Sequence, residues 1–300
     1  MLLKYVKTKH IIVFVLIGCL FFSGVAAIIY PMISNVISLM SSKTVISDYV
    51  ETVEQMPDEE ISGKFQQAQE YNSLIASHNY KNGLERCLCD ENGLICYVDI
   101  PSLDIYLPVY YGTSNEVLQK GCGCLENTSL PVGGKSTHSV ISGHTGLPSA
   151  EMFTNLDKIK KGEVFYIHVL DRVLAYRVTE INTVTPEKTE SLEIVRDKDL
   201  CTLLTCTPYG INDKRLLVRG ERTAYVPSST GTQTDTPAPK ADNSTDEGLK
   251  KEITHQLTII IGIILSAVII YIFALIWLLY SIRVRHARSQ QASEDNDGTD

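Results

Sequence analysis

Residues 202–221, TLLTCTPYGINDKRLLVRGE, read as strand, loop and strand. A β-favouring run from Leu200 to Cys206 ends in a Thr-Pro-Tyr-Gly-Ile-Asn-Asp cluster of chain breakers, and a second run extends from Arg215 to Glu221. Paired as a hairpin, the two runs bring Cys206 close to Arg215 at the mouth of the loop. A thiol is a nucleophile only as its thiolate, and a guanidinium, charged at every working pH, favours that form. Cys201 stands an odd number of residues from Cys206 and so points to the other face of the strand. The competing assignment is a buried strand cysteine and a surface arginine, the commoner state of both residue types.

Residues 139–148, SVISGHTGLP, form a short apolar strand that runs into a glycine-rich loop, with His144 at the junction. Strand-end loops are where sites collect, which favours His144 over His138, before that strand, and over His168, which sits between Ile167 and Val169 and reads as structural. A cysteine and a histidine this far apart in sequence meet only through tertiary structure. TLLTC, the arginine nine residues after its cysteine, and the ISGHTGLP block together resemble the sortases, the cysteine transpeptidases that attach proteins to Gram-positive cell walls. The resemblance is closest to the pilus-building class, class C. It extends over roughly residues 65–225, including AQEYNSL at 68–74, YVDIPSLDIYLPVYYGTS at 97–114, and the stretch 117–163.

The resemblance implies a mainly β fold, a sortase-type closed barrel of about eight strands with short helices. It also implies roles: Cys206 as nucleophile, His144 as general acid and base, Arg215 as the stabiliser of the oxyanion or substrate, and Thr205 as a substrate contact. The implied substrates are pilins or surface proteins with Leu-Pro-x-Thr-Gly-like sorting signals, cleaved between Thr and Gly through a thioacyl enzyme and joined to a lysine amine of another pilin. The chemistry needs no cofactor. One alternative is a sortase that anchors surface proteins to peptidoglycan amines. Another, of a different class, is a cell-surface binding domain without catalysis.

Bulk properties agree with that range. Twenty-seven basic against 35 acidic residues give a net charge of -8, which argues against a nucleic-acid partner, since that would need a basic face. Eight cysteines in 300 residues are too sparse for a disulfide scaffold. Cys87-x-Cys89 and Cys122-x-Cys124 leave one residue between thiols where zinc sites use two to four, so no metal is assigned.

Along the chain, Lys4, Lys7 and Lys9 precede the apolar run 11–30, a bilayer-spanning anchor whose Val25-Ala26-Ala27 also fits a signal-peptidase site. Residues 31–80 carry apolar positions at helical spacing, Phe65, Ala68, Tyr71, Leu74 and Ile75 among them, and read as a helical extension. Residues 81–95 are turn-rich. In pilus sortases this window holds a lid with an Asp-Pro-aromatic motif; here it holds Cys87, Cys89 and Asp90 instead. Either a thiol-bearing loop caps Cys206, or the lid is shortened or lost.

Residues 96–225 are read as the catalytic barrel, with Ile105, Leu107 and Val109 inward and Tyr106 and Tyr110 outward. Within it fall short helices over 113–120 and 149–157, a hairpin turning at Asp171-Arg172, and a charged, helix-containing connection over 186–199. Residues 226–256 are a Ser/Thr/Pro/Asp-rich flexible linker, and 257–280 a second span, followed by Arg283, Arg285 and Arg288. The expected topology has two spans in the lipid bilayer, both termini (1–10 and 281–300) cytoplasmic, and the catalytic domain outside.

Overall fold

In the computed structural model, residues 2–80, 83–225 and 243–297 are described. The chain divides into two compact bodies, Ser34–Ile253 and the terminal segments Met1–Ile33 with Thr254–Asp300.

The first body is built on eight strands: β1 (Leu94–Ile100), β2 (Ile105–Tyr111), β3 (Cys122–Cys124), β4 (Thr137–Ser142), β5 (Val164–Val169), β6 (Arg172–Val184), β7 (Asp199–Thr207) and β8 (Lys214–Thr223). They close into a barrel in the order β1-β2-β3-β4-β7-β8-β6-β5. Two pairings are parallel, β2 with β3 and β4 with β7. Parallel neighbours need a crossover. For β2 and β3 it is the short helix α3 (Asn115–Lys120), capped by Ser114, whose hydroxyl accepts from the Val117 N–H. For β4 and β7 the crossover contains the whole β5–β6 hairpin. That hairpin turns at Leu170 and Asp171, one residue earlier than expected, with Leu170 in the left-handed region at φ 50. Residues 149–157 form turns ending in a single 3-10 turn, Leu156–Lys158, in place of the expected helix.

The interior is apolar, with Ile141, Cys201, Leu203, Leu216 and Val218 among its buried members. Cys96, Cys122, Cys124 and Cys201 are buried free thiols, and burial pushes Cys124 up to about 12. They fill space as small hydrophobes.

Helices cover the outside of β1 and β2. The relevant parts are residues 34–55 of the long helix α1 (Leu2–Gln55) and α2 (Asp58–Ala76). Three acids, Asp58, Glu59 and Glu60, occupy the first turn of α2, where the helix dipole favours negative charge. Its buried stripe, Ile61, Phe65, Ala68, Tyr71, Asn72 and Ile75, faces the barrel. Asn72 is the polar pin of that stripe: Nδ2 donates to the Leu130 carbonyl at 3.0 Å and Oδ1 accepts from the Leu130 N–H at 2.7 Å. Arg172 lies over the Phe65 ring at 3.7 Å. On α1, the Tyr49 hydroxyl accepts from the Leu170 N–H and donates to the Ile95 carbonyl. This cover explains why β1 is buried along its whole length, and why Tyr110 is 6% exposed where the alternation predicts an outward ring. Tyr110 looks onto the groove between β2 and α1.

The second body holds the apolar ends of α1 and of α4 (Asn243–Asp297). Both helices are long and apolar enough to cross a bilayer, over Ile12–Gln55 and Ile253–Arg285. Within this body Tyr271 packs against Phe14 and Phe22, and its ring lies so close to Gly18 that a Cβ there would meet it at 2.7 Å. Helix α4 already begins at Asn243, inside the stretch read as a linker; residues 226–242 lie outside the described residues.

Replacing Asn72 by Leu leaves the Leu130 N–H and C=O buried without their partner, which costs about 1–3 kcal/mol. The expected result is a thermal unfolding midpoint of the detergent-solubilised chain several degrees below wild type. An unchanged midpoint would show that α2 docks on its apolar stripe alone.

Candidate active site

Three neighbouring strands set the site. Cys206 is the penultimate residue of β7, and its Cα partner across the antiparallel ladder is Arg215 of β8. On the other side β4 runs parallel to β7, with Ser142 opposite Leu204. The pairing continues past the end of β4, since the Gly143 N–H donates to the Leu204 carbonyl at 3.0 Å. Carried on in that register, His144 comes alongside Cys206. His144, Cys206 and Arg215 therefore stand abreast, one on each of three adjacent chains.

Parity decides which face they occupy. Cys201, Leu203 and Thr205 point into the barrel, so Thr202, Leu204 and Cys206 point out of it. Thr205 is 2% exposed, so its side chain serves the interior. Its hydroxyl donates to the Gly143 carbonyl at 2.7 Å and meets the Thr145 hydroxyl at 2.8 Å. With the Thr205 proton committed to Gly143, Thr145 is the donor of the second bond. One buried hydroxyl thus braces the residues on both sides of His144.

The loop after His144 is held further by Phe153. The Phe153 N–H donates to the His144 carbonyl at 3.0 Å, and its ring packs so tightly on Gly143 that a Cβ there would sit 2.6 Å from it. Gly146 takes φ +75, open to glycine at no cost, and a Cβ would meet the Tyr209 ring at 3.2 Å. Tyr209 belongs to the β7–β8 loop and is 69% exposed beside the site. None of Thr145, Phe153 or Tyr209 carries a sequence signal of its own; only the HTG glycine pattern marks the segment.

Burial lowers the pKa of His144 from its ordinary 6.5, so the resting imidazole is largely neutral near pH 7. Arg215 Nη1 spends its two hydrogens on the Asn212 and Lys214 carbonyls, at 3.2 and 3.0 Å. Nε and Nη2 carry three further donors. Facing Arg215 from the β6–β7 connection is Glu187, whose carboxyl is held below the usual range by its own amide, by the Thr185 hydroxyl and by the arginine charge.

The domain matches the family model of the Sortase domain over residues 98–223. Sortase C of Streptococcus pneumoniae is 45% identical in a superposition covering 66% of this chain and 100% of that one, with a TM-score of 0.58. Sortase C of Clostridium perfringens, in a structure with the C-terminal cell wall sorting motif, is 49% identical over 61% of this chain and 99% of that one, with a TM-score of 0.58. The chain belongs to the sortase family. Both of these solved structures are of a sortase C. Among curated relatives, Sortase A of Streptococcus agalactiae is 32% identical over 41% of this chain and 51% of its own length, and Sortase A of Bacillus anthracis 30% over 44% and 61%. The chain therefore spans about half to three-fifths of the length of these curated relatives.

Against the sortase pattern the loop before β1 is the departure. Leu88 is buried, Arg86 lies 5.9 Å from the Tyr111 ring centroid, and Asp90 Oδ1 accepts from the Asn92 and Leu94 N–H groups, closing the loop onto β1. Its anchors therefore lie on β1 and β2, whereas the catalytic row stands on β4, β7 and β8. Burial, then the neighbouring Cys89, pushes the Cys87 thiol up to about 11, and burial raises Cys89 as well. Both are poor nucleophiles near neutral pH.

Two outcomes follow from this geometry. Replacing Cys87 and Cys89 together by Ser leaves the rate of Cys206 alkylation by iodoacetamide unchanged; a rise of tenfold or more, on the order expected for releasing a capped thiol, would restore the capping role. Because His144 titrates below 6.5, the acid limb of any step that needs its neutral form falls below pH 6.5. A single-turnover aminolysis profile with its midpoint above pH 7 would contradict that order.

Proposed function

We propose that the protein is a membrane-anchored cysteine transpeptidase that joins pilin subunits. The observation that carries this is the single row His144–Cys206–Arg215, fixed by backbone register on the outer face of the barrel. The Cys206 thiolate attacks the Thr carbonyl of a Leu-Pro-x-Thr-Gly-like signal, and the negative charge that develops on the carbonyl oxygen is met by Arg215. His144, neutral at rest, takes the Cys206 thiol proton as the thiolate forms and then gives it to the departing Gly amine as the C–N bond breaks, leaving a thioacyl enzyme. A lysine amine of a second subunit then attacks the thioester. Neutral His144 takes the ammonium proton, the C–S bond breaks, and an isopeptide bond joins the two chains.

The pilus assignment, against anchoring to peptidoglycan amines, draws support from the solved class C sortases. They match at 42–49% identity over 97% or more of their length, whereas the Sortase A relatives match at 34% or less over 51–63% of theirs. The helical extension on the barrel and the second apolar helix fit the same class. Lysines before the first span place the N-terminus inside and the barrel outside.

The test is intact mass of the detergent-solubilised chain incubated with Leu-Pro-x-Thr-Gly peptides. The expected increment equals the peptide less its Gly end, is absent in Cys206→Ala, and is discharged by a lysine-bearing pilin peptide faster than by a peptidoglycan stem peptide. The reverse preference would move the protein to wall anchoring. No increment with any signal peptide would leave the barrel as a binding domain.

A further inference from the structure

We propose that His138 is a positioning residue that clips the β6–β7 connection over the peptide groove, an inference that rests on the transpeptidase reading above. His138 is fully buried within β4, two strand repeats before the end that leads to His144. Nothing in the catalytic row uses it. Every polar atom it owns is nonetheless engaged. Its N–H donates to the Ser129 hydroxyl at 3.0 Å, and its carbonyl accepts from the Ser129 N–H at 3.1 Å. Ring atom Nδ1 lies 2.8 Å from the Glu193 carbonyl, and Nε2 lies 2.7 Å from the Thr202 hydroxyl.

These partners define the tautomer. A carbonyl only accepts, so the proton is on Nδ1, and Nε2 takes the Thr202 hydrogen. Burial, helped by the charge of Arg219, keeps the ring neutral and so keeps this arrangement.

Position gives the bond its meaning. Thr202 lies on the same outward face of β7 as Cys206, four residues away, which is about 13 Å along a strand. Between them the floor is Leu204, flanked by Ser142 on β4 and Leu217 on β8. The β6–β7 connection meets this face at both ends: it leaves β6 at Val184, the partner of Arg215, and is held at Glu193 through His138. A signal whose Thr carbonyl rests on Cys206 reaches back three extended residues, about 10 Å, and so presents its Leu near the clipped end. The chain that roofs that end is held by a main-chain carbonyl bonded to a buried imidazole. Releasing it loosens the site that binds the peptide, and leaves the row that performs the chemistry.

Peptide turnover by the full chain in detergent, with alkylation of Cys206 by iodoacetamide alongside, tests this. In His138→Leu the peptide KM rises about tenfold, the scale of one buried hydrogen bond. Its kcat and its alkylation rate stay within about twofold of wild type, because the lost bond serves ground and transition states alike. His138→Asn places an amide N–H where Nδ1 was, keeps the Glu193 bond, and keeps KM within about threefold of wild type. His138→Gln reaches towards Thr202 instead and behaves like Leu, so the Asn–Gln contrast carries the test if the Leu variant does not fold. Equal KM in wild type and His138→Leu, or equal losses in Asn and Gln, or a fall in kcat matching that in kcat/KM, would each overturn the clip. An absence of turnover by wild type would instead overturn the transpeptidase reading.

Discussion

Everything at the site depends on the parallel pairing of β4 with β7. These strands are far apart in sequence, and the chain between them must leave the sheet, build the β5–β6 hairpin on the other side of the barrel, and return. The benefit is alignment. Two parallel strands end at the same edge, so a histidine just past one and a cysteine near the end of the other arrive at the same height. The antiparallel partner β8 then starts at that edge, which is why Arg215 completes the row. The hydroxyl of Thr205 extends the pairing beyond the last ladder bond, and the loop bearing His144 is held as if it were strand.

This arrangement divides β7 between two duties by parity. Its odd residues, Cys201, Leu203 and Thr205, belong to the interior and fix the strand; its even residues lie on the outer face, where Thr202 is buried against His138 and Leu204 and Cys206 are partly exposed. Thr205 is polar yet interior because both of its hydroxyl bonds are made inside, with Gly143 and Thr145, so its burial carries no unpaired group. The adjacent thiol faces outward with the histidine and arginine beside it. One residue of register slip would reverse the duties, placing the nucleophile in the core.

Much of this was legible in the sequence. Strand, loop and strand over residues 199–223 followed from β-favouring runs around a Pro-Tyr-Gly-Ile-Asn-Asp breaker, and parity alone sent Cys201 and Cys206 to opposite faces. What failed, failed where tertiary cover overrode a local pattern. Tyr110 alternates as an outward residue, but α1 and α2 wrap that side of the barrel, and so both faces of β2 are buried. Residues 149–157 have a helix-like start at Ser149, yet the bonds from Phe153 to His144 and from Gly146 to Thr154 pull the segment into turns against the site. The interior bonds of the Thr205 hydroxyl carry no sequence signal, because only the fold brings Gly143 and Thr145 beside it.

The loop before β1 lacks the Asp-Pro-aromatic motif and is anchored by other means. Leu88 and the Asp90 turn give this segment a buried side chain and a closed hydrogen-bond ring, which is enough to hold it in one place. That place is on β1 and β2, two strands removed from β4 in the barrel order. A lid must bury itself against the catalytic row, whereas these contacts stabilise the loop away from it. The β6–β7 connection borders the groove instead, near Arg215 through the charge of Glu187 and at His138 through the Glu193 carbonyl. The first is a charge interaction at an exposed carboxylate, weakened by solvent and salt; the second is a buried hydrogen bond, screened from both. The difference makes the His138 end the more firmly held of the two.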